Sequence, residues 1–329
     1  MSKSNKDAGS PPGEFELISE IFAPLAQGCP GAFGLTDDVG VISPPEGCEV
    51  VLKTDSVIEG VHFRSDDPAS TIGRKALRRA LSDLAAKGAE PSVYLLALAL
   101  PPWSNMEWLK HFAMGLSEDQ VEFGVNLLGG ETTATPGPLT ITVTAAGFVP
   151  EGSLIRRKGA KTGDLVFVTG TIGDAGIGLS LLAGNKPADE FLISRYRLPL
   201  PRNRFGRALR GFASASIDVS DGLMADLGHI ASVSGVRIEV DAAAIPLSPS
   251  FRMVRGDGLD ARLEGATAGD DYEIAFTAPA SALASIRRIA QETETEATVI
   301  GRVGPGQGAV LLQSPGEEVP LKRRGYTHF

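Results

Sequence analysis

Hydrophobic and polar positions alternate along some stretches of the chain and recur at helical spacing along others. "EFELISEIFAPLA" (14–26) predicts a short amphipathic helix stopped near Pro24. "VGVIS" (39–43) and "CEVVLKTDSV" (48–57) predict strands, and "TIGRKALRRALSDLAAKGAEP" (71–91) predicts a helix ended by Gly88 and Pro91. "SVYLLALAL" reads as a buried strand, "NMEWLKHFAMGLSEDQVEFG" as a helix, "VNLLGGETT" as a strand with a glycine turn, and "LTITVTAAGFV" as a half-buried strand. After "PEGSLIRRKGAKTGD" the order resumes. Strands are predicted at "LVFVTG", "ASIDVS", "VRIEVD", "DDYEIAFTAP", "ATVIGRVG" and "GAVLLQ". Helices are predicted at "IGDAGIGLSLLAG", "NRFGRALRGFA", "GLMADLGHIASVSG" and "ASALASIRRIAQET". The pattern is that of an α/β (α+β) protein in two domains. Residues 1–13 form a polar leader expected to be disordered, 14–150 the first domain and 151–329 the second.

Composition narrows the setting. The 329 residues are 43% hydrophobic, enough for sizeable cores, and the net charge of −9 comes with no basic block, which argues against a nucleic-acid surface. Cys29 and Cys48 form no C-x-x-C and no disulfide framework, so a reducing compartment is the simpler reading. The leader lacks the apolar core of a signal peptide, and the longest apolar run, Val93–Leu100, is far too short to span a bilayer. The expectation is a soluble, cytoplasmic protein.

The acids stand where chemistry is usually placed. Asp37 and Asp38 precede a predicted strand, Thr54 and Asp55 sit within or after one, and Glu131 follows Gly129-Gly130. "SIDVSDGLMADL" (216–227) sets Asp218, Asp221 and Asp226 at a strand-to-helix junction, and Asp270-Asp271 form a further pair. In both halves Ser-Asp stands before an apolar helical run, Ser82-Asp83 and Ser220-Asp221. For one such pair alone, helix capping is a commoner explanation than ligand binding. Carboxylates at element ends suit a hard divalent cation such as Mg²⁺, and with no histidine pair or thiolate cluster zinc is disfavoured. "GTIGDAGIG" (170–178) resembles a phosphate loop but fits neither glycine-rich fingerprint, so its glycines read as turn and packing residues. No Ser-His-Asp elbow is present. His62, in "GVHF", reads equally as a packed residue or a functional one.

Taken together, "GEFELI", "TDDVGVI", "KTDSVIEGVHF", "ALSDLAAKGAEP", "GGETT", "GFVP", "RKGAKTGD", "VTGTIGDA", "IDVSDGLMADLGHI", "GDDYEIAFT" and the terminal "GYTHF" resemble the thiamine-monophosphate kinase family. The resemblance runs in order from about Gly13 to Phe329. It implies the two-domain fold of aminoimidazole-ribonucleotide synthetase relatives, with N-terminal strands of two subunits forming a barrel in a homodimer. It also implies conversion of thiamine monophosphate to the diphosphate with ATP and several Mg²⁺ ions. By position, Asp38, Thr54, Asp55, Asp83, Asp218 and Asp221 correspond to metal ligands, joined by Glu131, while Asp226, on the helix, reads as facing solvent or a partner side chain. Gly130, Glu131, Arg157 and Ser220 correspond to ATP contacts, and His62, Asp270 and Arg323 to the substrate end. The acceptor is a phosphate oxygen ionised near neutral pH, so no catalytic base is assigned.

Four positions depart from the family pattern: Lys53 replaces a small hydroxyl residue, Glu131 an aspartate, Asp270 a glutamate and Arg323 a tryptophan. The last two bear on the substrate end. They keep open another ATP-using enzyme of the same superfamily or a non-catalytic nucleotide-binding relative. On a regular strand Lys53 shares a face with Asp55. It either places its ammonium among the phosphates or covers the sheet edge with its stem.

Overall fold

The alternating runs of the N-terminal half gather into one four-stranded sheet, and those of the C-terminal half into a sheet of seven. The structure, a computed structural model, describes residues 13–184 and 189–327; the rest of the predicted leader lies outside the described residues. The chain divides into two compact units. One runs to Leu84 and resumes over Glu90–Glu151, and the other takes Ala85–Ala89 and Gly152–Phe329.

The first unit opens with α1 (Glu14–Leu17), a π-helical turn (Ile18–Phe22) and α2 (Ala23–Ala26). Pro24 does not stop this helical segment. It falls in the first turn of α2, where an amide hydrogen would have no partner within the helix. There follow β1 (Cys48–Ile58), α3 (Ala69–Ala86), β2 (Glu90–Leu100), α4 (Met106–Phe123), β3 (Asn126–Ala134) and β4 (Thr140–Pro150). The strand order is β1-β4-β2-β3, with β4 antiparallel to both neighbours and β3 parallel to β2. Alternation in β4 buries Ile141, Val143 and Ala145 completely. α4 is bounded as its sequence suggests, by an Asn105 side chain that accepts from Trp108 N and by Gly124 in the left-handed conformation. α3 and α4 cross closely at Gly115, where a Cβ would lie 2.1 Å from Ser70 O.

Two expectations for this half fail. "VGVIS" forms no strand: the Val41 amide donates to Gly31 O at 2.9 Å, which ties the segment to the preceding 3-10 turn (Pro30–Leu35) and leaves Val39 and Val41 exposed. Ser82-Asp83 does not precede a helix either. Both residues lie inside α3, in its last turns, so Asp83 caps nothing there.

The second unit contains β5 (Leu165–Thr169), α5 (Asp174–Ala183), α6 (Glu190–Arg197), α7 (Asn203–Ala208), β6 (Ala215–Asp218), α8 (Leu223–Ser234) and β7 (Arg237–Asp241). It continues with α9 (Pro249–Arg255), α10 (Leu259–Thr267), β8 (Ile274–Ala278), α11 (Leu283–Glu292), β9 (Ala297–Gly304), β10 (Gly308–Ser314) and β11 (Glu317–Val319). Its strand order is β11-β10-β7-β9-β5-β8-β6, parallel only between β10 and β7. α8 buries Leu223, Met224, Leu227 and Ile230 in the main core, as its apolar spacing predicts. The strand expected over "DDYEIAFTAP" starts only at Ile274, because Asp270 and Tyr272 take left-handed φ values of 68° and 53°. α6, α9 and α10 have no counterpart in the sequence reading. Two of them carry legible start signals, Asp189 as the cap of α6 and Ser248-Pro249 opening α9. Among the described residues no helix is long and apolar enough to cross a membrane.

Candidate active site

Strand alternation puts Thr54 and Asp55 on opposite faces of β1. Thr54 opposes Thr144 across β1 and β4 with hydroxyl oxygens 2.9 Å apart, and Ser56 opposes Thr142 at 2.8 Å. Thr142 and Thr144 also line a cavity of about 630 Å³ together with Asp38, Gly130 and Glu131. Gly130 is required at its place because a Cβ there would meet Leu96 O at 1.9 Å, where β3 presses on β2. On the opposite face of β1, Lys53 and Asp55 stand opposite Ala145 and Val143. Lys53 Nζ approaches Asp83 Oδ2 at 2.7 Å and Asp55 Oδ1 at 3.7 Å. The fold therefore groups Asp38, Gly130 and Glu131 at the cavity and Asp55 with Asp83 around a lysine, and it turns Thr54 away from Asp55.

His62 ends this segment in a turn. Its amide donates to Ile58 O at 2.9 Å, and its Nδ1 accepts from Ile58 N at 3.1 Å. A neutral ring so held carries its proton on Nε2.

In the second unit the loop after β6 is the organising feature. Asp218 is buried at the end of β6, Ser220 and Asp221 are half-buried, and Gly222 begins α8 at φ 129° with no side-chain cap. A Cβ on Gly222 would press on Ala268 O at 3.0 Å, in a conformation side chains rarely adopt. Asp226, read from the sequence as facing solvent or a partner side chain, is buried instead. Its Oδ2 accepts from the amides of Ser220, Asp221 and Gly222 at 3.0, 3.1 and 3.2 Å. Burial, and after it the charges of Asp218 and Asp221, push the Asp226 carboxyl up to about 8. Potential ligand atoms of Asp221, Asp226 and His229 all lie within 4.8 Å of one another; His229 is a neighbour the sequence reading missed.

The other assigned residues of this unit surround that loop or flank its strand. Asp270 N donates to Ser220 O at 2.9 Å, and the Asp270 carboxylate accepts from the Tyr272 hydroxyl at 2.9 Å. The C-terminal segment returns to the same place, with Tyr326 N donating to Asp221 O at 2.8 Å. Arg323, three residues earlier, is exposed. Arg157 is also exposed, beside Arg156, whose carbonyl accepts from Ser216 N of β6 at 3.0 Å.

The glycine-rich turn before α5 is satisfied by the protein itself. The buried Asp271 carboxylate accepts from Gly173 N at 2.7 Å and reaches Ala175 N at 3.5 Å. An acid side chain of the protein already occupies the place a phosphate would take at this helix start, so the packing reading of "GTIGDAGIG" fits and a phosphate loop does not.

The same two units recur in known proteins. Residues 36–149 match the family described as AIR synthase related protein, N-terminal domain, and residues 161–313 match its C-terminal domain. A thiamine-monophosphate kinase of Caulobacter vibrioides is 40% identical over 98% of this chain and 92% of its own. The chain belongs to the thiamine-monophosphate kinase family. A crystal structure of a thiamine-monophosphate kinase from Stenotrophomonas maltophilia superposes with a TM-score of 0.79 at 39% identity, covering 87% of this chain and 91% of that one. A structure described as AaThiL complexed with AMPPCP and TMP superposes with a TM-score of 0.76 at 30% identity, over 96% and 97% of the two chains. For a thiamine-monophosphate kinase the fold of both units agrees with the aminoimidazole-ribonucleotide synthetase architecture expected from the resemblance.

The donor types suit the Mg²⁺ expected from the resemblance. Asp38, Asp55, Asp83, Glu131, Asp218 and Asp221 offer carboxylate oxygens, the ligand type Mg²⁺ takes. Asp218 and Asp221 also act together on Asp226, a crowding of negative charge that a hard cation would relieve.

Proposed function

We propose that this protein transfers the γ-phosphoryl group of ATP directly to the phosphate of thiamine monophosphate, forming thiamine diphosphate, with Mg²⁺ and in the cytoplasm. The observation that carries the proposal is the near-full-length match of this chain to thiamine-monophosphate kinases, with its superposition on the structure described as AaThiL complexed with AMPPCP and TMP. In this reading the first unit is the ATP- and metal-binding, dimer-forming domain and the second is the C-terminal α/β domain.

Each residue group has a definite task. Asp38, Thr54, Asp55, Asp83, Glu131, Asp218 and Asp221 would hold the ions. Bound Mg²⁺ would supply neutralisation of the polyphosphate and of the charge developing on the transferred group. Gly130 and Ser220 would contact ATP, Glu131 would meet its metal, and Arg157 would pair with phosphate oxygens. His62 would offer its Nε2 side to thiamine monophosphate, with Asp270 and Arg323 at the same end. The acceptor needs no deprotonation, so orientation and charge compensation carry the rate.

The test is a turnover assay. Purified protein with Mg-ATP should form ADP only when thiamine monophosphate is present, with one thiamine diphosphate per ADP and no phosphoenzyme. A covalent phosphoprotein that chases into product would exclude direct transfer. Binding of ATP without any consumption would leave a nucleotide-binding relative instead.

A homodimer belongs to the same proposal. Among the described residues β1 is an edge strand paired with β4 alone, and it exposes Val50 at 40% and Leu52 at 68%. Such an edge invites pairing with another copy, consistent with a barrel built from the strands of two subunits. Light scattering should give twice the 34.4 kDa chain mass at micromolar concentration; a stable monomer would contradict this.

A further inference from the structure

Two acids assigned to metal in the first unit are already met by fixed positive charge. Lys53 Nζ lies 2.7 Å from Asp83 Oδ2 and 3.7 Å from Asp55 Oδ1, and Arg79 Nε lies 3.9 Å from Asp55 Oδ2. Two carboxylates thus face two cations, and their formal charges cancel within the protein. The side chains are 31% exposed for Lys53, 22% for Asp55, 16% for Asp83 and 11% for Arg79, so solvent screens these interactions only in part.

The lysine is held there by the fold. β1 pairs with β4 without a register shift from Cys48↔Pro150 to Ile58↔Thr140. Residues 53 and 55 therefore share one face, and the opposing Ala145 and Val143 are fully buried. α3 brings Asp83 to that face from one side, and Asp55 stands two residues along the strand. A small hydroxyl residue at 53 would remove the ammonium from between the two carboxylates.

We propose that Lys53 is a tethered cation that takes the place of one exchangeable divalent ion at the Asp55–Asp83 pair. The inference rests on the kinase reading of the site and deepens it, since it assigns a charge-compensating role to a residue of this chain. A divalent ion such as Mg²⁺ would draw the carboxylate oxygens to about 2.0–2.1 Å. An ammonium hydrogen-bonded at 2.7 Å claims one of the same oxygens, and the two cations repel. The lysine is not lost on dilution or chelation. The pair stays compensated when free Mg²⁺ is scarce, and the remaining ions are needed only for the other acids and the nucleotide.

The experiment counts metal and does not depend on turnover. The full-length protein is saturated with AMPPCP and titrated with Mn²⁺, and bound Mn²⁺ is read by electron paramagnetic resonance. Lys53→Ser should bind one Mn²⁺ more per chain than the parent, and Lys53→Arg, which keeps the charge, should bind the parent number. Lys53→Met, which keeps the stem and removes the charge, should also gain the ion and serves if the serine variant does not fold. An unchanged count in the uncharged variants, or a loss of Mn²⁺, would overturn the proposal. A gain in Mn²⁺ alongside a parent that makes no thiamine diphosphate would support the role of Lys53 while defeating the kinase reading.

Discussion

Asp221→Asn is expected to lower kcat by about 10²–10³-fold, the scale of losing one charge-stabilising group at a transition state, while the melting temperature moves by no more than a few degrees. The separation follows from the geometry of the loop after β6. Asp221 is half-buried, and the N-terminus of α8 does not depend on its side chain. The amides of Ser220, Asp221 and Gly222 are taken up by Asp226, which the variant leaves in place. A capping role would behave differently, since Asn caps as well as Asp and activity would persist. Steady-state kinetics with Mg-ATP and thiamine monophosphate, beside a thermal melt, separates the two. Near-parental kcat would remove Asp221 from the ion-holding set.

The second large effect is on stability. Glu273 is fully buried and accepts from Arg202 Nε at 2.7 Å and Nη2 at 2.6 Å, from Arg195 Nη2 at 2.8 Å and from Thr169 Oγ1 at 2.6 Å. Burial opposes its charge, but the two guanidiniums and their hydrogen bonds outweigh burial and hold the carboxyl below the usual glutamate range. Glu273→Gln keeps the shape and removes the only side-chain charge that these contacts set against both arginines. The expected cost is about 3–5 kcal/mol, the scale for breaking a buried ion pair, or on the order of 10 °C in melting temperature. Urea and thermal unfolding followed by circular dichroism measure it.

The pH dependence has a definite sign. A carboxyl with a lowered folded-state value stabilises the protein above its unfolded value and loses that contribution as pH falls through the lowered folded value. The parent should therefore lose this contribution in acid, and the Glu273→Gln variant should lack that component of the acid transition. Equal stability of parent and variant at neutral pH would show that the network carries no net energy.

Some residues of the site were legible in the sequence and others were not, for physical reasons. Lys53 could be placed on the face of Asp55 because strand period alone decides it, and the ion pair at 3.7 Å agrees. The same period carries Thr54 to the other face, which a list of acids and hydroxyls in sequence order hides. Asp226 looked like an ordinary helix position because nothing in "GLMADL" says that the preceding loop folds back over the start of α8. Only that fold-back delivers three amides to one carboxylate. Asp83 looked like a cap because Ser-Asp before an apolar run is a common helix start, yet α3 had already begun at Ala69.

What the sequence determined by itself is local or collinear: the alternation of β4, the caps of α4, the apolar stripe of α8 and the ordered motifs that place the chain in its family. These depend on neighbours within a few residues, or on order along the chain, and both are written in the string. What only the tertiary structure decided depends on partners far away in sequence. Asp271 fills the start of α5 from 98 residues downstream, Glu273 meets Arg202 across 71 residues, and the C-terminal Tyr326 closes on Asp221. Charge compensation and hydrogen bonding act through space. They are settled only when strand register and helix packing have set the distances.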